Sequence, residues 1–347
     1  MKKFIFFFVA ALSFAACNHE QLEVTGRPDS PKGTVYLSIS DGELFSKASS
    51  TTSTDYEKVV KNVQVLVFDE SDLLVAYHDA GTTTSNITLY VAEGAKDVWA
   101  VVNGPDLTSI SNKDQLMRYA VTLSGNNDLT GTNGFVMSGH KSVTVSALTP
   151  ASANIVVERL ISRVRIAKVS NNLPTAYSSM TIEGIYLANV VGNQNLAGNA
   201  SITTWYNKMG TSDGTKTKII DGVTNMAELP AYTFNGTDKA LANGASYEPG
   251  YYFYSYPNGT STDVDEWSDP FTARMTRLIL NVRINGTLYY YPVVLKQKLE
   301  RNKSYDVEVS VVSLGSENPW EEIKKGSITT IITVKDWVAG ASYSESI

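Results

Sequence analysis

The sequence predicts an all-β fold with few short helices, arranged as two tandem β-sandwich domains. Hydrophobic and polar residues alternate over short runs, the period-two mark of half-buried strands. Gly, Asn, Asp and Ser separate these runs, and many short strands between turn signals favour sandwich architecture. The chain has 347 residues, 43% of them hydrophobic and 18% charged, enough for two cores.

Taken in order, residues 34–40 place Val35, Leu37 and Ile39 on one face and Tyr36, Ser38 and Ser40 on the other. Residues 63–68 form a second strand candidate, and 86–91, 97–103, 154–157 and 163–169 continue the series. The second half has strand composition at 181–187, 251–256, 278–284, 288–295, 305–312 and 328–337. The best short helix candidate is 113–119, and the two strand-rich blocks meet near 158–168.

The first seventeen residues read as a leader. Lys2 and Lys3 precede the apolar stretch 4–11, and Phe14-Ala15-Ala16-Cys17 closes it. That stretch is too short for a bilayer-spanning helix, so it reads as a cleaved export signal. Cys17, the sole cysteine, follows Ala-Ala as in a lipobox, where the thiol receives a lipid and becomes the new N-terminus. The alternative is an ordinary signal followed by a chance cysteine. With Cys17 lipidated, no thiol is left for disulfides or catalysis. Residues 18–32 are polar, with Gly26, Pro28 and Pro31, and suit a flexible tether.

Net charge is −6, and the longest basic run in the body is Lys324–Lys325. Phosphate neutralisation needs clustered Lys and Arg, so nucleic acid is set aside as a partner. Histidines number three: His19 in the tether, with His78 and His140 expected in polar turns. No HExxH, GxSxG or glycine-rich phosphate loop occurs, so no enzyme, catalytic residue or cofactor is predicted. Asp263, Asp265, Glu266 and Asp269 are the only candidate calcium ligands, and they suit a solvated loop equally well. The aromatic runs 251–256 and 289–291 could stack on sugars, but core packing fits them better.

Residues 43–56 carry the small-residue run Lys47-Ala48-Ser49-Ser50-Thr51-Thr52-Ser53-Thr54-Asp55. Without core-forming side chains it reads as an exposed, mobile loop. A trypsin-like protease would find a substrate at the Lys47–Ala48 bond.

Several short motifs then converge. They are the lipobox, Lys47-Ala48, Trp99-Ala100-Val101-Val102-Asn103 and Phe135-Val136-Met137-Ser138-Gly139. Next come Val157-Glu158-Arg159-Leu160-Ile161-Ser162-Arg163-Val164 and Tyr254-Ser255-Tyr256-Pro257-Asn258. Tyr290-Tyr291-Pro292-Val293, Leu299-Glu300-Arg301-Asn302-Lys303-Ser304-Tyr305 and Val334-Lys335-Asp336-Trp337 complete the set. In this order and spacing the chain resembles the type V fimbrilins, lipoprotein-precursor pilins of Bacteroidia, over essentially its whole length.

The resemblance implies tandem sandwiches of the transthyretin-like, fimbrilin type. It divides the chain into a signal at 1–17, a tether with a removable first strand at 18–47, and an N-terminal domain at 48–162. A C-terminal domain at 163–326 and a donor segment at 327–347 complete it. An outer-membrane lipoprotein precursor would be cut after Lys47, which stands where the family often has Arg, so the processing protease stays open. The released strand would carry Val35, Leu37 and Ile39. The donor of another subunit, with Ile328, Ile331, Ile332, Val334 and Trp337, would fill the groove. The implied product is a structural shaft subunit of an extracellular fimbrium that supports adhesion or biofilm. Its partners would be copies of itself, other fimbrial subunits, a trypsin-like surface protease and, through the precursor's lipid, the outer membrane. Two alternatives remain open from the residues: a surface glycan-binding lipoprotein, and a fimbrial anchor or tip subunit.

Overall fold

The computed structural model describes residues 31–41, 57, 59–123, 134–177, 179–209, 220–221, 232–233, 239–249, 251–261, 273–295, 298–319, 328–336 and 342–346. Among them the fold is β structure, mostly antiparallel, with one short α-helix.

The first block holds β1 (Lys32–Ser40), β2 (Val63–Phe68), β3 (Leu74–Asp79), β4 (Ile87–Ala92) and β5 (Gly94–Val102). After α1 (Lys113–Arg118) come β6 (Ala120–Thr122), β7 (Met137–Val145), β8 (Ala151–Val156) and β9 (Glu158–Arg159). One sheet runs β4-β1-β8 and the other β3-β2-β5-β7-β9. They enclose a first buried cluster, to which β1 gives Val35, Leu37 and Ile39, β4 gives Ile87, Leu89 and Val91, and β8 gives Ala153 and Ile155.

The five-stranded sheet is buried on both faces, and its sequence explains how. Val63, Val65 and Val67 of β2 enter the first cluster, while Leu66 and Phe68 enter a second. β5 divides likewise, with Val98, Ala100 and Val102 on one side and Trp99 and Val101 on the other. Strict alternation cannot appear where both faces are dry, which is why these strands read as near-continuous apolar runs.

The second cluster draws most of its residues from the rest of the chain. β10 (Ser162–Asn171) and β11 (Met180–Ala188) lead into eight two- or three-residue strands, β12 to β19, placed between Val190 and Tyr247. β20 (Tyr251–Ser255), β21 (Arg277–Ile284), β22 (Thr287–Val294), β23 (Lys303–Val311), β24 (Ile328–Asp336) and β25 (Ser342–Ser346) complete the order. One sheet runs β19-β10-β23-β24-β25 with β20 also on β10, and another runs β17-β11-β21-β22 with β18 also on β11. β13 (Asn193–Asn195) pairs with β6, so the two blocks also share main-chain hydrogen bonds.

α1 forms where expected because Asn112 caps it, its side chain accepting from the Gln115 amide, and Asp114 sits in the first turn. Sequence alternation did not mark β3 and β7. His78 and His140, expected in polar turns, lie on those two strands.

Candidate functional site

The site is the seat of β1. This strand lies in the middle of its sheet, antiparallel to β4 from Lys32 to Leu37 and parallel to β8 from Val35 to Ser40. Val35 faces Leu89 and Ala151 in register, and Leu37 faces Ile87 and Ala153. The exposures of Val35, Leu37 and Ile39 are 1%, 2% and 4%, whereas Tyr36 on the opposite face is 49% exposed. Burying each such apolar side chain is worth roughly 1.5–3 kcal/mol. Main-chain bonds carry the pairing past the strand's end: the Ile39 amide donates to the Thr84 carbonyl and the Val157 amide to the Ser40 carbonyl, each at 2.7 Å. On the outer face the Ser38 hydroxyl donates to the Asn154 side chain.

Just past β1 the chain enters a buried charge network. Asp41 accepts from Arg159 Nη2 at 3.3 Å, and the same guanidinium reaches the Glu57 carbonyl at 2.9 Å and Asn302 Oδ1 at 3.4 Å. Glu57 is fully buried: its Oε2 lies 2.7 Å from Arg163 Nη1, and its Oε1 accepts from the Tyr254 hydroxyl at 2.8 Å. Burial pushes the Arg159 pKa down, Asp41 and Glu57 oppose that, and the like charge of Arg163 adds to it. Asp41 and Glu57 stand on either side of residues 42–56, so the network gathers the flanks of the Lys47–Ala48 segment onto one pair of arginines.

Several of the motifs singled out in the sequence form joints of this framework. Asn103 ends β5 with φ 55°, and its side chain donates to the Val59 and Phe135 carbonyls and accepts from the Lys61 amide. Gly139 lets β7 pass under the end of β8, because a Cβ there would lie 2.0 Å from the Val156 carbonyl oxygen. The Arg301 guanidinium donates to the carbonyls of Ser138 and Glu158 at 3.0 and 2.8 Å. The hydroxyl of buried Tyr291 donates to the Ser313 carbonyl. Nothing in residue spacing alone marked Asp41 or Glu57, because their partners lie more than a hundred positions away.

The C-terminal candidates sit in β24, which pairs with β23 across nine residues and with β25 on its other side. Ile328 is half-buried against the second cluster, and Ile331 is 40% exposed. Ile332 and Val334 face Val307 and Tyr305 in the register. Cys17, Lys47, Ala48, Trp337 and the carboxylates of Asp263, Asp265, Glu266 and Asp269 lie outside the described residues.

Of the aromatic runs, Phe253, Tyr254, Tyr256 and Tyr291 are buried, while Tyr251, Tyr252, Tyr289 and Tyr290 are half-buried. A separate surface cluster centres on Asp97. It accepts from Lys113 at 2.8 Å and from the Trp99 indole at 2.9 Å, and lies 2.9 Å from the Nδ1 of His140, whose ring stacks on Trp99. Burial raises the Asp97 pKa, but these bonds outweigh it and hold the carboxyl below its usual range. Among the described residues no three His, Cys, Asp or Glu side chains are grouped to hold a metal.

No family model and no curated protein matches the chain. Solved structures do. A candidate cell adhesion protein from Bacteroides eggerthii superposes with a TM-score of 0.60 at 18% identity, covering 89% of this chain and 96% of its own. One from Parabacteroides distasonis gives 0.60 at 18% identity, covering 89% and 100%. A fimbrilin from Porphyromonas gingivalis gives 0.60 at 12% identity, covering 90% and 99%. At such identities the likeness is one of fold, and it extends over nearly the full length of each chain.

Proposed function

We propose that the protein is a structural fimbrial subunit, a shaft pilin that polymerises by protease-triggered strand exchange. The observation that carries this reading is the place of β1. A strand at the centre of a sheet, holding three core side chains, is linked covalently to the strands that follow it through residues 42–56. If that segment were cut at Lys47–Ala48 and β1 lost, β4 and β8 would each expose an unpaired edge above an apolar trough. An open edge of this kind recruits another strand.

The fold it shares with the P. gingivalis fimbrilin and with the two candidate cell adhesion proteins from B. eggerthii and P. distasonis supports the same reading. The donor is the C-terminal segment of a second copy, in which β24 must first leave both β23 and β25. Donor and groove are different surfaces of one chain, so the contact is heterologous and extends as a filament. Lipidation at Cys17 holds the precursor on the outer membrane until cleavage. The two strand-rich blocks act as tandem sandwich domains, and the role is structural, without catalysis. The burial of Tyr254, Tyr256 and Tyr291 leaves less aromatic surface for a sugar platform.

The test uses a Cys17→Ser precursor treated briefly with a trypsin-like protease. A body starting at Ala48 that grows into filaments is the expected outcome, read by N-terminal mass spectrometry and electron microscopy. A body that starts elsewhere, or stays monomeric after cleavage at Lys47, overturns the proposal.

A further inference from the structure

The reading above leaves open how the incoming strand finds its register. We infer that it is set by charge: Asp336 of a second copy takes the place of Asp41 against Arg159, which fixes Thr330 to Val334 in the seats of Val35 to Ile39. This rests on the strand-exchange reading.

The argument begins with what β1 takes with it. Leaving as a unit, it removes Val35, Leu37 and Ile39 from the core and Asp41 from the Arg159 guanidinium. Arg159 stays behind, with Arg163 nearby adding like charge. An incoming strand that fills the trough but brings no carboxylate therefore leaves a dry, positive site with one of its counter-charges missing. A suitable occupant needs alternate apolar residues followed, two positions after the last, by an acid.

The C-terminal strand has that pattern, and it repeats the first strand position by position. Thr34-Val35-Tyr36-Leu37-Ser38-Ile39-Ser40-Asp41 lies against Thr329-Thr330-Ile331-Ile332-Thr333-Val334-Lys335-Asp336. The inward seats receive Thr for Val, Ile for Leu and Val for Ile, which are isosteric, isomeric and one methylene smaller in turn. Outward, Thr333 brings a hydroxyl to the place where Ser38 bonds Asn154, and Ile331 takes the exposed place of Tyr36.

Other registers fail on the same seats. A shift of two residues one way sets Val334 against Arg159. The opposite shift buries Asp336 in the seat of Ile39, and an odd shift turns Lys335 inward. The N-terminal limit is also fixed: Ile328 would fall on Gly33, where a Cβ comes within 2.3 Å of the Ser146 carbonyl oxygen. The donor thus inserts from Thr330 onward and ends on the Asp336–Arg159 contact.

The test is made on cleaved full-length protein in the Cys17→Ser background. With Ile87→Cys and Ile332→Cys together, oxidised fibres are expected to cross-link subunit to subunit, because Ile332 should occupy the seat of Leu37 opposite Ile87. Pairing Ile87→Cys with Thr330→Cys or Val334→Cys should give none. Asp336→Asn is expected to slow fibre growth about tenfold, as loss of a buried hydrogen bond to a charged group predicts. Fibres that cross-link through position 330 or 334 instead, or that grow at the unsubstituted rate with Asp336→Asn, overturn the register and leave strand exchange standing. Failure of the unsubstituted cleaved chain to form any fibre overturns both.

Discussion

β1 and β24 are both terminal-side strands of nine residues, yet they are held in different ways. β1 is an interior strand, with neighbours on both sides, three side chains in a core and a buried acid just past its end. β24 pairs just as fully through its backbone, but Ile328 is only half-buried and Ile331 stands out in solvent. One strand completes a core, and the other lies next to the edge strand of its sheet. Main-chain pairing is alike in the two strands; burial and charge decide what the loss of either costs.

Breaking the network next to β1 should have the largest effect. Glu57→Ala leaves Arg163 and the Tyr254 hydroxyl without their carboxylate partner. It is expected to lower unfolding free energy by about 3–5 kcal/mol in a urea titration. Leu37→Ala opens a cavity between Ile87 and Ala153 and should cost about 2–5 kcal/mol by the same measurement. Gly139→Ala forces β7 away from the Val156 carbonyl, at a cost of about 1–3 kcal/mol, and tests whether close approach explains that glycine.

The Asp97 cluster offers a pH-dependent contrast. Its carboxyl is held below the usual range in the folded protein, so its contribution is present above the unfolded value and lost as pH falls through the folded one. Urea midpoints at about pH 6 and about pH 3 should therefore converge more in Asp97→Asn than in the unsubstituted chain. The smallest effect belongs to β24: Ile331→Ala should stay within about 0.5 kcal/mol of the unsubstituted protein. A loss as large as that of Leu37→Ala would abolish the distinction between the two strands.

Much of the fold was legible in the residues. The faces of β1 followed from alternation, and α1 lies within the 113–119 helix candidate, its Asn112 cap being a feature of the structure. The edges of β5, β11, β21 and β23 fell within a few residues of their places. β3 and β7 were missed because burial on both faces, or exposure along much of one strand, erases period two. The motifs 99–103, 135–139 and 299–305 were visible as strings, but their work as joints was not. Asn103, Gly139 and Arg301 act on backbone groups brought near only by folding.

By itself the sequence determined that this is a strand-rich chain and which residues of its first strand point inward. Those facts are local: they depend on side-chain period and on composition within ten residues. Only the tertiary structure decided that β1 is an interior strand, parallel to β8, and that Asp41, Glu57, Arg159 and Arg163 meet in one buried site. Sheet order and ion pairing join residues more than a hundred positions apart. No short-range pattern encodes them, because they are settled by which faces the whole chain can bury at once.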